Sequence, residues 1–148
     1  MRCVSLGWRR GDGQCLAGSG AGIRHPTDHW HTTVLAEGVI PEEPGIYEWR
    51  IEGVGTYIGK YGRIRRPTKE YGRNVARLLS GRPYRTGKPD GYRAIHYALA
   101  EAVRVGRPII LTILENVAPD RINQREQELI RERGATLNGP ASMFKAVV

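Results

Sequence analysis

The sequence predicts an α+β fold, a small three-stranded β-sheet flanked by helices in the order β-β-α-α-β-α. Three observations carry that expectation. Two short alternating segments are joined across glycines, one almost unbroken branched apolar run follows later, and stretches of helical period surround them. At 148 residues and 16.5 kDa the chain is sized for one compact domain and not for two separate cores.

Residues 1–43 stand apart. Gly7, Gly11, Gly13, Gly18, Gly20 and Gly22 crowd the first part, no apolar period persists, and Pro41, Glu42, Glu43 and Pro44 close the segment. It reads as an irregular, poorly ordered N-terminal tail before a domain spanning 44–148. His25, Asp28, His29 and His31 have spacings that suit a metal, but without a second ligand pair they read as solvated loop residues. Cys3 and Cys15 are too few for a disulfide framework or a four-thiolate zinc site and are read as free thiols.

From Gly45 the pattern sharpens. Tyr47, Trp49 and Ile51 alternate with Ile46, Glu48 and Arg50, as a half-buried strand requires. Residues 52–55 carry two glycines and residues 56–60 read as a second strand, making a hairpin. A helix is expected over 70–79, with Val75, Leu78 and Leu79 on one face and Arg73 and Arg77 on the other. After a turn-rich loop, Asp90 is placed to cap a helix running to Val105. Ile95, Ala98, Leu99, Ala102 and Val103 form its apolar stripe, and Gly106 and Pro108 stop it. Residues 109–114 resemble a central strand buried on both faces. Pro119 and Asp120 introduce the last helix, which ends at Gly134.

In that helix Ile122, Leu129 and Ile130 form the apolar stripe. At 100° per residue, Glu126 falls about 40° from Ile122, inside the stripe. An inward carboxylate costs several kcal/mol unless it is paired, protonated or bound to a cation. Two readings stand: an ion pair with an arginine, or a ligand for a hard cation such as Mg²⁺.

The formal net charge is +8, which points to an anionic partner. Residues 60–93 hold eleven basic residues against Glu70 and Asp90, interleaved with Tyr61, Tyr71, Tyr84 and Tyr92, so the whole excess lies in one segment. No apolar run is long enough to span a membrane and no signal-peptide block is visible, so a soluble, cytoplasmic protein is expected.

Gly45-Ile46-Tyr47 and Tyr57-Ile58-Gly59, with nine residues between the two tyrosines, resemble the paired strand motif of the GIY-YIG nuclease family. The downstream order strengthens the likeness: an arginine on the helix after the hairpin, Glu126 with Leu129-Ile130 behind it, and Asn138 twelve residues beyond Glu126. The resemblance covers residues 45–139. It implies a GIY-YIG-like domain that hydrolyses DNA phosphodiesters with Mg²⁺ or Mn²⁺. On that likeness Tyr47 is the general base or water-positioning group, Tyr57 contacts the phosphate or water, Arg73 clamps the scissile phosphate and Glu126 holds the cation. Asn138 orients the site or ties down the chain after the last helix.

Family members carry Tyr or His four residues after the catalytic arginine, whereas Arg77 stands four after Arg73. Arg93, with Tyr97 at that spacing and His96 beside it, is the competing clamp. Lys60, Arg77, Arg93 and His96 are the nucleic-acid-binding candidates. DNA is the expected partner, with a homodimer or a separate specificity partner and no membrane. Restriction, repair and mobile-element roles fit equally. The alternatives are a catalytically inactive nucleic-acid-binding module of the same fold and a small RNA-associated structural protein.

Overall fold

The computed structural model describes residues 29–143. The expectations for residues 1–28, including those for Cys3, Cys15, His25 and Asp28, lie outside the described residues.

The hairpin forms as its alternation requires. Strand β2 (Gly45–Ile51) pairs antiparallel with β3 (Gly55–Tyr61). Val54 N–H closes the turn on the Ile51 carbonyl at 3.0 Å, and Gly53 takes a left-handed φ of 75° that a side chain would resist. On its other edge β2 pairs antiparallel with β4 (Ile109–Asn116).

The sheet has four strands, not three, in the order β1-β4-β2-β3. The added strand, β1 (Thr32–Leu35), runs parallel to β4 and comes from the segment expected to be irregular. Trp30 stacks on Trp49 with centroids 5.2 Å apart, and His31 meets Trp49 edge-on at 5.0 Å. Residues from Trp30 onward therefore belong to the folded unit. β4 is central, as expected, but Ile110 on its second face remains 37% exposed.

Helices cover both faces. Helix α1 (Tyr71–Leu79) follows a π-helical turn, Arg66–Glu70. Helix α2 (Ala94–Val105) starts after Arg93, not at Asp90, because His96 Nδ1 accepts the Arg93 N–H at 3.0 Å and fixes the first turn there. Its end is as expected: Gly106 has φ 79°, and Gly106 and Arg107 N–H groups reach the Val103 and Ala102 carbonyls. Against α1 and α2 the sheet presents Tyr47, Trp49, Ile51, Tyr57, Leu111 and Ile113, packed with Val75, Ile95 and Leu99. Helix α3 (Ile122–Glu132) covers part of the opposite face, where Ile46 and Ile58 meet Leu129. Glu48, 3% exposed on that second face, is paired with Arg133 at 2.7 Å. That pair ties the end of α3 to the sheet and meets the cost of a buried carboxylate. Among the described residues no helix is long and apolar enough to cross a membrane.

Candidate active site

The two strand motifs meet because of their glycines. Tyr47 on β2 pairs with Gly59 on β3, and its ring lies across that glycine. A Cβ at Gly59 would come within 3 Å of three Tyr47 ring and hydroxyl atoms, so no side chain fits there while Tyr47 holds this position. Gly45 is equally crowded, by the Glu115 carbonyl and the Tyr61 hydroxyl.

Around Tyr47 a hydrogen-bonded cluster forms. The Tyr47 and Tyr71 hydroxyls are 2.6 Å apart. Arg93 donates from Nη2 to Tyr71 at 3.0 Å and from Nη1 to Tyr57 at 2.8 Å. Its guanidinium carbon also lies 5.7 Å and 5.8 Å from the centroids of those rings, within cation–π range. One planar cation thus joins the tyrosines of β3 and α1, and through Tyr71 reaches the tyrosine of β2. Arg93 as a whole is exposed although its tip is engaged. Two of its five N–H groups are spent on the tyrosines, which leaves three for an anion.

Burial sets the protonation of this cluster. It pushes the Tyr47 phenol well above its usual value, with Tyr57 adding to the shift; the hydrogen bond with Tyr71 and then the charges of Arg93 and Arg66 pull the other way and lose. Tyr71 is raised for the same first reason. His96, 1% exposed, is pushed down to about 3 by burial and then by the charges of Arg93 and Arg66. It is a neutral imidazole whose Nδ1 is taken by the Arg93 backbone and whose Nε2 lies 3.5 Å from the Asn74 amide. His96, expected among the nucleic-acid contacts, is closed off from solvent and supports Arg93 from beneath.

Arg73, the arginine favoured as the clamp, stands apart from this cluster. Arg73 does not reach the tyrosines; it is exposed on α1 and lines a separate groove with Arg77 and Arg85. Helical period already put Arg73 opposite Val75, away from the core. Arg93 takes the place beside the tyrosines because the packing of α2 on α1 brings its first turn there.

Two residues at the site were not singled out by sequence. Tyr71 stands four before Val75 on the buried face of α1, a signal that was present. Arg66, exposed at the start of the π-helical turn, acts electrostatically on both Tyr47 and His96. Nothing in the sequence marks the π turn.

Glu126 lies on the α3 side of the sheet with its side chain 15% exposed. Its partner is a lysine, not an arginine: Lys60 Nζ is 3.3 Å from Oε2 and also donates to Asn123 Oδ1. Lys60 belongs to β3, three residues after Tyr57, and is 44% exposed, so this ion pair is open to solvent. Asn138 does not join the tyrosines. Its amide accepts the Ile58 N–H at 2.9 Å and donates to the Ile58 carbonyl at 2.8 Å, fastening the turn Thr136–Asn138 to β3. Of the two roles expected for it, this is the tying one. Arg77 donates to the Tyr84 carbonyl at 3.2 Å.

One carboxylate with an exposed flank fits a hard cation that keeps most of its ligands as water and substrate oxygens. It does not fit a cage of several protein ligands, since no group of three His, Cys, Asp or Glu lies close enough among the described residues. A cation on Oε2 would have to displace Lys60.

No family model, curated protein or solved structure matches the chain.

Proposed function

We propose that this protein is a metal-dependent DNA endonuclease of the GIY-YIG kind. The observation that carries the reading is the Arg93 guanidinium, bonded to Tyr57 and Tyr71 and through Tyr71 to Tyr47. The two tyrosines of the strand motifs are thereby held in one cluster around a cation with donors to spare. The likeness to the family also improves at one point. Arg66 precedes Tyr71 by five residues across a π-helical turn, where one residue more than in an α-helix completes each turn. On this reading Arg66 and Tyr71 would take the places of the arginine and the tyrosine one turn later that the family carries, which Arg73 and Arg77 do not supply.

In this reading Arg93 and Arg66 bind the non-bridging oxygens of the scissile phosphate and stabilise the charge that grows there. Tyr47, neutral at physiological pH, orients the attacking water through its hydroxyl, and Tyr71 fixes that hydroxyl's direction. The water oxygen bonds to phosphorus, the bond to the leaving sugar oxygen breaks, and one proton passes from the water to solvent while another reaches the leaving oxygen. Glu126 would hold a Mg²⁺ or Mn²⁺ ion, which supplies Lewis-acid neutralisation of the phosphoryl charge when bound. Lys60, released from Glu126, is then free to contact phosphate.

Purified protein with Mg²⁺ or Mn²⁺ is expected to cut at least one of duplex, nicked or branched DNA, and Glu126→Ala to abolish cutting while leaving binding intact. Absence of any cleavage sensitive to Glu126→Ala sinks the proposal. One observation favours the binding-module alternative: Tyr47 is 1% exposed and its hydroxyl is occupied by Tyr71. That alternative predicts salt-sensitive DNA binding with no scission, unchanged in Tyr47→Phe.

A further inference from the structure

Two arginines on the α3 side of the molecule have carboxylate partners. Arg125 is paired with Glu115, Glu128 and Glu132, and Arg133 with Glu48. On α2, Arg104 is paired with Glu101. Arg73, Arg77 and Arg85 belong to none of the ion pairs found among the described residues. These three line one open groove of about 270 Å³, completed by Glu70, Asn74 and Tyr84. Three guanidinium groups against one carboxylate leave that groove with an unmet positive charge, and close cations repel unless an anion lies between them.

We propose that this groove is a second anion site, distinct from the Arg93 cluster, which grips the sugar-phosphate backbone of DNA away from the bond to be cut. The inference rests on the nuclease reading and extends its substrate contact along the strand. The two sites are neighbours: Asn74 in the groove lies 3.5 Å from His96, and His96 bonds the backbone of Arg93.

The groove is built for phosphates and not for bases. Tyr84 is its one aromatic residue, and a free ring face there would make a stacking platform for a base. Its ring instead carries the Arg85 guanidinium 4.9 Å above its centroid and packs against Tyr92 and His96. Gly91 lies so close beneath it that a Cβ there would stand 2.5 Å from the ring. Tyr84 thus holds Arg85 in position and offers no face to a base. A site of this composition grips any sequence equally and is weakened by salt.

The test compares two triple variants by fluorescence anisotropy on labelled duplexes of two unrelated sequences over a salt series. Arg73→Gln/Arg77→Gln/Arg85→Gln empties the groove of charge. Arg104→Gln/Arg107→Gln/Arg131→Gln removes the same charge from exposed positions elsewhere. The groove variant is expected to bind both sequences roughly tenfold or more weakly, with a salt slope shallower by about 2 to 3. The other triple should stay near wild type. Because Arg77 also holds the Tyr84 carbonyl, Arg73→Gln/Arg85→Gln is measured beside them and should lose a slope of about 2 with that bond in place. Equal losses in both triples, or wild-type affinity in the groove variant, overturn the groove and leave the nuclease reading standing. A loss confined to one sequence overturns the phosphate-only assignment. Wild-type protein that binds no DNA in a salt-dependent way overturns both.

Discussion

The two faces of the sheet both carry arginines, and the ones nearest the sheet are held differently. On the α3 face Arg133 holds the buried Glu48, and Arg125 sits among Glu115, Glu128 and Glu132. On the α1 and α2 face Arg104 is likewise held by Glu101, but Arg93 is bonded to neutral phenols, and Arg73, Arg77 and Arg85 belong to none of the ion pairs found among the described residues. An arginine satisfied by a carboxylate is spent on the fold; one satisfied by hydroxyl groups keeps its full charge for a ligand. The net charge of the chain therefore says less about binding than the pairing of each cation does.

That contrast breaks most sharply at Arg93. Arg93→Lys keeps the charge but loses the planar fork that spans Tyr57 and Tyr71. Single-turnover cleavage should fall by about 100-fold or more, some 3 kcal/mol of transition-state stabilisation, while DNA affinity changes by much less. Equal losses in rate and affinity would mean that Arg93 is a plain binding residue.

Its counterpart on the other face is Arg133. Removing it leaves Glu48, 3% exposed, with Arg50, 3.8 Å away, as its one remaining ion-pair partner among the described residues. Arg133→Ala should cost about 2–3 kcal/mol and roughly 10 °C in Tm, with cleavage per folded molecule unchanged. A loss of activity without a loss of stability would erase the distinction between the faces.

The support beneath Arg93 titrates. His96 has a pKa of about 3 in the fold, against about 6.5 for an unperturbed histidine. The unfolded chain therefore binds a proton that the folded one refuses. Stability is full above pH 6.5 and falls as pH drops toward 3, by at most about 1.4 kcal/mol per pH unit. His31, pushed down to about 4 by burial, acts in the same direction over a shorter range. Urea titrations should show about 1–2 kcal/mol less stability at pH 5 than at pH 7 on account of His96, and His96→Asn should flatten that slope. A slope unchanged in His96→Asn would assign the acid sensitivity elsewhere.

The smallest effect is expected at Arg125, whose partners are all partly exposed. Arg125→Gln should shift stability by less than about 1 kcal/mol and leave DNA affinity alone. A tenfold loss of affinity there would extend the DNA contact along α3 beyond Glu126 and Lys60.

The hairpin, the central strand and the end of α2 were legible because each is written in local terms: alternation, a branched apolar run, and a glycine with a proline two residues on. β1 was not, since four half-exposed residues are too few to show a period, and what holds them is the neighbouring edge of β4. At the site, Tyr47 and Tyr57 came from motif spacing, and Gly59, opposite Tyr47 on β3, is a position that the Tyr47 ring leaves no room to fill. Arg93 was visible as a rival to Arg73 and as a nucleic-acid-binding candidate, but not as the centre of the tyrosine cluster. Its position depends on how α2 docks against α1, and a one-dimensional reading does not contain that contact. Glu126 was correctly read as an inward carboxylate, but its lysine partner comes from a strand sixty-six residues earlier.

Asn138 has a consequence for how this protein meets its own copies. Its amide offers Ile58 one donor and one acceptor, the same pair that a neighbouring strand would present. It acts as a strand one residue long, laid against the middle of β3 at the outer edge of the sheet. A second sheet seeking to add there would have to break both bonds first. At Ile58 the edge that carries Tyr57 and Lys60 thus has both backbone groups already taken, by a single side chain.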